Sequence, residues 1–305
     1  MTKIDLAKLE TENQNERSMA IDTFSAYEIV KLINEEDQKV AVAVTPALAN
    51  VARLVDEIVE RLRNGGRLIY IGAGSSGRLA FADAAEVPPT YGVDYQTVQA
   101  LIAGGFSALY KAQENAEDDE VQGVADVKEI ELSAGDVLVG VAASGRTPYV
   151  IAAMKYANEI GCYTGSLACV SDSEIGKIAR CAIEVVCGQE VITGSTRMKA
   201  GTAQKMVLNM LSTAVMVRLG KVYNNLMVDV KPTNQKLINR SIGIIAKVAA
   251  CDEKTAGEYY EKAGRNVKLA IMMKLSNLDK QASESLLEAH LGHLKNALKA
   301  GGIID

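Results

Sequence analysis

The sequence has few of the residues that usually carry proton transfer or metal binding near neutral pH. Its 305 residues include two histidines, His290 and His293, which lie three positions apart near the C-terminus. That spacing could hold a metal ion on one helix face, but no cysteine or acidic cluster accompanies it, so we expect a surface or helix-packing role and no metal. Acid–base chemistry in this chain must therefore rest largely on Asp, Glu, Lys or Tyr.

The cysteines also form no pattern typical of a disulfide framework or a catalytic thiol. The five cysteines form no C-x-x-C pair, and their number is odd. We interpret them as reduced and mostly buried thiols, because a disulfide framework needs paired cysteines and a nucleophilic thiol needs a nearby base.

Positive charge is not in excess, and no long apolar run is present. The chain has 33 Lys and Arg against 38 Asp and Glu, a net charge of −5. This balance argues against sequence-independent nucleic-acid binding, which needs a basic surface. No apolar run approaches the roughly 20 residues of a membrane span, and Met1–Asp5 is followed by no apolar signal core. We expect a cytoplasmic protein with no nucleic-acid or membrane partner.

Short β-rich runs alternate with helical patterns through the middle of the chain. This alternation, with near-continuous apolar strands, predicts an α/β fold with a doubly wound, parallel, five-stranded sheet between helices. The predicted strands are Arg67–Ile71, Gln96–Ile102, Asp136–Val141, Tyr163–Val170 and Ala182–Val186. The helices predicted between them lie around Arg78–Glu86, Ser107–Asn115, Pro148–Ile160 and Glu174–Ala179.

After Met198 only helices are predicted, the last of them spanning Asp279–Leu298. We place a domain boundary near Ala250. This gives a ligand-binding α/β domain over residues 1–250, with an N-terminal helical extension, and a small helical domain over residues 251–305.

A glycine-rich segment, Gly72–Arg78, joins the first predicted strand to a helix and is called loop 1. It satisfies G-x-G-x-x-G in the strand–turn–helix context of a dinucleotide site. Such a site expects an acidic residue at the end of the second strand, where this chain has Ala100–Gly104 without an acid. The paired hydroxyls of Ser75 and Ser76 favour a small phosphate instead of a pyrophosphate.

Two further junctions repeat this composition. Loop 2, Ala142–Pro148, follows the third strand, and loop 3, Gly194–Thr202, precedes a long helix. Backbone N–H groups at a helix start attract anions, although one such loop alone would more often be a capped turn. Three in one parallel sheet predict a phosphate or phosphosugar site. The predicted substrate-binding residues are Ser75, Ser76, Arg78, Ser144, Thr147, Ser195, Thr196 and Lys199.

Carboxylates near these loops are the candidates for proton transfer. Glu86 is expected to end a helix before Pro88 and Pro89. A negative charge is unfavourable at a helix C-terminus, which points to a function for this acid, with a surface role as the alternative. The acidic run 114–120 follows the second strand, and the residues alone leave open whether Glu114, Glu117 or Glu120 points inward. Because histidine is scarce, a pair of glutamates is the plausible acid–base device.

Four segments of the chain resemble bacterial N-acetylmuramic acid 6-phosphate etherases, which are built on the sugar isomerase (SIS) fold. The resemblance runs from Thr11 through Val230, and more weakly to the C-terminus, with small departures at Val87, Tyr91 and Met198. The segments that carry it are Gly72–Leu79, Asp83–Thr90, Ala142–Tyr149 and Ile192–Lys205.

The resemblance implies a reaction and the residues that perform it. Members of this family cleave the lactyl ether of N-acetylmuramic acid 6-phosphate to N-acetylglucosamine 6-phosphate and D-lactate, in the recycling of cell-wall amino sugars. It further implies a homodimer with the site near the subunit interface, and no metal or other cofactor. The positions that match the family's two catalytic glutamates are Glu86 as acid and Glu117 as base.

Three other functions stay open at this point. An aldose–ketose isomerase of the same fold would share the phosphate loops but release no lactate. A phosphosugar-sensing regulator, like the glucokinase regulatory protein, would bind its ligand without turnover. A dinucleotide-dependent oxidoreductase is disfavoured by the missing ribose-binding acid.

Overall fold

The computed structural model describes residues 13–113, 115–232 and 234–304, so Glu114 and Thr11 lie outside the described residues. The described chain opens with two helices, α1 (Ala26–Val44) and α2 (Leu48–Arg63). A capping box fixes the start of α1, because the Ser25 backbone N–H donates to Glu28 at 2.8 Å while the Ser25 hydroxyl accepts from the Glu28 N–H. Apolar residues spaced three and four apart give α2 its buried face.

A parallel sheet forms the centre of the fold, as the sequence predicted. Its strands are β1 (Leu68–Gly72), β2 (Val98–Ile102), β3 (Val137–Val141), β4 (Tyr163–Ala168) and β5 (Cys181–Glu184). Within the described residues this sheet has five strands in the order β2-β1-β3-β4-β5. Every residue of β1, β3 and β4 is buried, which explains why β1 and β3 are nearly continuous apolar runs.

Helices cover both faces of this sheet. They are α3 (Gly74–Tyr91), α4 (Glu120–Glu129), α5 (Pro148–Glu159), α6 (Glu174–Ile178) and α7 (Lys199–Arg218). On one face, Met154 of α5 packs in a buried cluster with Ile71 and Leu138. On the other face, Leu54 of α2 lies against Gly165 of β4, since successive strand residues point to opposite sides.

The helix predicted over Ser107–Asn115 is wrong. The structure has two short 3-10 turns, Phe106–Leu109 and Ala116–Asp118, and the helix α4 begins only at Glu120. The side chain of Asp119 accepts a hydrogen bond from the Gln122 N–H at 2.9 Å and so caps α4. The last two residues of the acidic run, Asp119 and Glu120, therefore mark a helix start.

Helix α3 continues past the point where Glu86 was expected to end it. It includes both Pro88 and Pro89 and ends at Tyr91. The two prolines remove two internal hydrogen bonds, but the Gly92 N–H donates to the Pro88 carbonyl at 2.9 Å and closes the last turn. Glu86 is an exposed residue within the helix, so the helix-end explanation for its position is wrong.

The described chain divides into two compact units. Unit 1 comprises the described residues up to Ala85 together with Tyr95–Ser212, and unit 2 comprises Glu86–Asp94 and the described residues from Thr213 onward. This division differs from the boundary expected near Ala250, because the helix before Ala250 contributes Ile244 and Ile245 to the core of unit 2.

Unit 2 contains five helices and a small hairpin among its described residues. The helices are α8 (Gln235–Val248), α9 (Glu253–Lys262), α10 (Val267–Ser276), α11 (Lys280–Ala289) and α12 (Leu294–Ala300). The hairpin pairs β6 (Val222–Tyr223) with β7 (Leu226–Met227), so the expectation that strands stop after Met198 is wrong. The single helix predicted over Asp279–Leu298 is broken at Leu291 and Gly292, both of which have positive φ. Across the described ranges, no helix is both long and apolar enough to cross a bilayer.

Candidate functional site

Loops 1 and 2 lie side by side at the carboxyl edge of the sheet. They follow β1 and β3, which are neighbours, and the register pairs Gly72 with Val141 at the ends of these strands. The chain leaves β1 toward β2 on one side and returns through β3 on the other. In doubly wound sheets of this order, ligands bind where the strand order reverses, between β1 and β3. The loops predicted to hold phosphate flank that point.

Loop 1 brings the start of α3 close to the end of β1. Only Ala73 separates the strand from the helix. A Cβ at Gly77 would lie 2.6 Å from Cγ1 of Ile102 and 2.9 Å from the Gly72 carbonyl oxygen, so only glycine permits this approach. The first backbone N–H groups of α3 have no partner within the helix and carry its partial positive charge. An anion at the strand end would therefore meet them directly.

Loop 2 leads into α5 without a capping hydrogen bond from its threonine side chain. Thr147 is the N-cap residue, but its side chain makes no capping hydrogen bond. Gly145 has φ +67°, and a Cβ there would lie 2.4 Å from Cβ of Ser173. The backbone of loop 2 is therefore fixed tightly against α6, which positions Ser144 and Thr147.

Helix α7 brings loop 3 to the same edge of the sheet. The Cys169 thiol, just after β4, donates to the Ala200 carbonyl at 3.5 Å. The Ser76 hydroxyl of loop 1 donates to Oε1 of Gln204 at 3.0 Å. Within the described ranges, Nε2 of Gln204 is buried and has no hydrogen-bond partner. The start of α3 is thus joined to the second turn of α7.

Lys199 is engaged inside unit 1. Its Nζ lies 2.8 Å from Oε2 of Glu36, and the two side chains are 3% and 2% exposed. Arg17 and Lys39 contact the other oxygen of Glu36, at 2.8 and 2.5 Å. Burial alone would raise the pKa of Glu36, but the hydrogen bonds from Lys199, Lys39 and Arg17 outweigh it and lower the pKa to about 2.

The start of α7 already has an anion of its own. Glu190, which is buried, accepts hydrogen bonds from the backbone N–H groups of Lys199 at 3.0 Å and Ala200 at 2.9 Å. Burial raises the pKa of this carboxyl, while the two N–H groups and Lys199 oppose the rise. Loop 3 therefore differs from loops 1 and 2, because its helix N-terminus is satisfied by the protein.

Five of the eight predicted substrate-binding residues have free hydroxyl groups. In the described part of the chain, these hydroxyls make no hydrogen bond, and each residue is half-buried at the carboxyl edge of the sheet. They are Ser75, Ser144, Thr147, Ser195 and Thr196. The others are Ser76 and Lys199, whose polar atoms are taken by Gln204 and Glu36, and Arg78.

Arg78 and Glu117 line one cavity together with loop 1. The cavity has a volume of about 210 Å³, and Ala73 and Gly74 form part of its wall. The Arg78 Nε donates to the carbonyl oxygens of Ala108 and Leu109, at 2.9 and 3.2 Å. Glu117 is exposed on the 3-10 turn Ala116–Asp118. Of the acids left open by the sequence, Glu117 lines the cavity beside loop 1 and Glu120 does not. The other predicted catalytic glutamate, Glu86, belongs to unit 2.

Sequence reasoning missed a buried carboxylate on α3. Asp83 accepts hydrogen bonds from Asn209 at 2.7 Å, Ser212 at 3.0 Å and the Tyr70 hydroxyl at 3.3 Å. Burial raises the pKa of Asp83, and these three donors oppose the rise. Asp83 joins β1, α3 and α7, which support the loops. Its partners Asn209 and Ser212 lie more than a hundred positions away, too far for any local pattern to reveal them.

Known proteins match the chain over almost its full length. A relative from Lactobacillus acidophilus is 52% identical over 296 residues, which are 97% of this chain and 99% of the relative. Relatives from Oenococcus oeni and Klebsiella aerogenes are 54% and 50% identical, covering 94% and 97% of this chain and 97% and 98% of their own. All three are named N-acetylmuramic acid 6-phosphate etherase. This chain belongs to that etherase family.

The fold of the etherase-family chain also has known counterparts. A family model for the N-terminal SIS domain of glucokinase regulatory protein matches residues 50–158. A solved structure from Bacteroides fragilis, named for phosphosugar isomerisation and capsule formation, superposes with a TM-score of 0.50 at 20% identity. It covers 65% of this etherase-family chain and 94% of its own length. The predicted SIS fold and family are confirmed, and the site residues stay predictions.

Proposed function

We propose that this chain cleaves the lactyl ether of N-acetylmuramic acid 6-phosphate, giving N-acetylglucosamine 6-phosphate and D-lactate in cell-wall amino sugar recycling. Its membership in the etherase family supports this reaction. The observation that carries the proposal at the site is the cavity that Glu117 shares with Gly74 and Arg78. A carboxylate beside an anion-binding loop suits a substrate that carries a phosphate and loses a proton.

The 6-phosphate is held by loops 1 and 2, with loop 3 beside them. We assign its contacts to the backbone N–H groups at the start of α3 and to the five free hydroxyls described above. Ser76 and Lys199 act indirectly, because Gln204 and Glu36 hold their polar atoms. Fixing the phosphate places C2 and C3 of the sugar against the catalytic carboxylates.

The reaction proceeds by elimination and then hydration. In the ring-opened sugar, the C2 hydrogen is α to the C1 aldehyde, and the lactyl oxygen on C3 is β to it. Glu117 removes the C2 proton, the electron pair forms the C2=C3 double bond, and the C3–O bond breaks. Glu86 protonates the departing lactate oxygen. Water then adds across the double bond, with its oxygen at C3 and a proton at C2.

A lactate-release assay in water enriched in heavy oxygen tests this reaction. The expected result is release of D-lactate with the label at C3 of the sugar. Label in the lactate would mean direct displacement at the lactyl carbon and would overturn the two-glutamate scheme. Binding of the sugar phosphate without any lactate would favour a regulator, and isomerisation without lactate an aldose–ketose isomerase.

We further infer a homodimer whose interface adjoins the cavity. Phe106 and Tyr110 are 75% and 81% exposed, and Ala108 between them lines the cavity. Exposed aromatic residues beside a site are typical of a surface that a partner covers. Light scattering should give twice the chain mass, and replacing both aromatics by serine should shift the protein toward monomer. A monomeric wild-type protein would contradict this inference.

A further inference from the structure

Unit 2 contains a second cavity, larger than the one beside loop 1. Its volume is about 440 Å³, and its walls come from β7–α8, from the start of α10, from α11 and from Gly92. All lining residues belong to unit 2, and neither Glu86 nor any proposed phosphate-binding residue is among them. Cavities of roughly 300–1,000 Å³ accommodate metabolite-sized ligands.

The floor of this cavity carries more positive than negative charge. Lys268 and Lys221 both contact the same oxygen of Asp229, at 2.7 and 3.1 Å. Lys268 is 9% exposed and Lys221 24% exposed at the side chain, so two ammonium groups share one carboxylate where solvent screening is weak. Burial lowers the pKa of Lys268, and Asp229 opposes that effect.

The rim adds further charges of both signs. Lys231 and Arg265 line it together with Glu284 and Glu288, and all four residues are exposed. Arg265 pairs with Glu261 at 3.2 Å and Glu284 with Lys280 at 3.9 Å. The rim is therefore nearly neutral, and the uncompensated charge is the ammonium at the floor.

The backbone at the start of α10 adds donors to the same cavity. The N-cap residue Asn266 accepts a hydrogen bond from the Leu269 N–H at 3.0 Å, which leaves the N–H groups of Val267 and Lys268 without a partner inside the helix. Asn266, Val267 and Lys268 all line the cavity. An anion bound at the floor would lie near both the ammonium groups and these amides.

We propose that this cavity is a second ligand site, which binds the phosphate group of a small phosphate monoester. The shared carboxylate of Asp229 leaves each ammonium with hydrogens to donate, and phosphate can accept from several donors at once. The carboxylates of Glu284 and Glu288 at the rim suit the hydroxyls of a sugar-sized ligand.

Hydrogen exchange read by mass spectrometry on the full chain tests the site with inorganic phosphate and glucose 6-phosphate as probes. Phosphate should protect the amides of residues 265–269, separately from any protection in loop 1. Two variants each remove a cavity cation, Lys221→Gln and Lys231→Gln, and the second changes an exposed side chain. Lys254→Gln, an exposed lysine of α9 outside the cavity, is the matched control.

The expected result is that Lys221→Gln raises the phosphate concentration needed for half-protection by about tenfold, because a charged hydrogen-bond donor is lost. Lys231→Gln should raise it less, and Lys254→Gln not at all. Protection in loop 1 should be the same in all three variants. Three results would overturn the proposal: no phosphate-dependent protection at residues 265–269, the same half-protection concentration in Lys221→Gln as in the Lys254→Gln control, or protection by D-lactate but not by phosphate.

Discussion

The ammonium group of Lys199 lies 2.8 Å from the carboxylate of Glu36, and both side chains are buried. This ion pair joins the first turn of α7 to α1 across 163 positions of sequence. Because α7 also carries Gln204, which holds Ser76 of loop 1, the pair stabilises the helix that supports the site. Lys199 therefore contributes to the site through its position in the fold.

Replacing Glu36 by Gln should destabilise the protein strongly. The substitution leaves the buried ammonium of Lys199 without its counter-charge, which typically costs about 3–5 kcal/mol. Urea denaturation measures the change in the free energy of unfolding. The control is Glu35→Gln, at a side chain that is 38% exposed and paired on the surface, where about 0–1 kcal/mol is expected. Equal effects of the two substitutions would contradict a buried structural pair.

The stability of the protein should fall in acid partly because of Glu36. Its pKa is about 2 in the folded protein against an ordinary 4.5, so the folded state binds the proton more weakly than the unfolded chain. This contribution is fully present above about pH 4.5 and is lost as the pH falls toward 2. Urea denaturation between pH 6 and pH 3 should show a shallower decline in Glu36→Gln than in the wild-type protein. Parallel declines would disprove the assignment.

The roles proposed for Glu86 and Glu117 in proton transfer should be separable from substrate binding. Glu86→Gln and Glu117→Gln should each slow lactate release by about 10²–10⁴-fold, since each loses one proton transfer. Binding of the substrate phosphate should change little. Glu120→Gln, a nearby exposed acid at the start of α4, is the control and should keep the full rate. If Glu86→Gln and Glu117→Gln keep the full rate as well, the assignment is wrong.

The free hydroxyls of loop 2 should contribute to affinity and little to stability. Ser144→Ala and Thr147→Val each remove a donor to a charged phosphate, so KM should rise by about 10- to 100-fold. Thr147 makes no capping hydrogen bond, so its loss should leave the Tm nearly unchanged, unlike that of a capping threonine. Ser285→Ala, an exposed position on α11, serves as control. An unchanged KM in both loop 2 variants would place the phosphate elsewhere.

Gly145 should be far less tolerant of substitution than another glycine with positive φ. Gly65 has φ +84° with open space around its Cβ position, whereas a Cβ at Gly145 would meet Ser173 at 2.4 Å. Gly65→Ala should cost only the conformational term of about 1–2 kcal/mol. Gly145→Ala should cost more and also raise KM, because loop 2 must move. Equal losses of unfolding free energy in the two variants would show that the close contact does not matter.

Local patterns were sufficient for the sheet and for loops 1 and 2. Buried parallel strands are marked by apolar runs in the sequence. At the strand–helix junctions, the backbone geometry requires glycines, and the hydroxyl side chains are placed beside the helix N-termini. Local patterns did not predict the end of a helix correctly where that end depends on tertiary contacts. Glu86 was placed at a helix end because of Pro88 and Pro89, but the helix runs on to Tyr91.

By itself, therefore, the sequence determined the five strands of the parallel sheet and the family, and it predicted a phosphate-binding role for loops 1 and 2. Only the tertiary structure decided which polar groups are free to act. Lys199 and Ser76 carry the same chemistry as their neighbours in sequence, yet each is bound by a residue more than a hundred positions away. Local patterns do not encode such partners, because packing of α1, α3 and α7 brings them together.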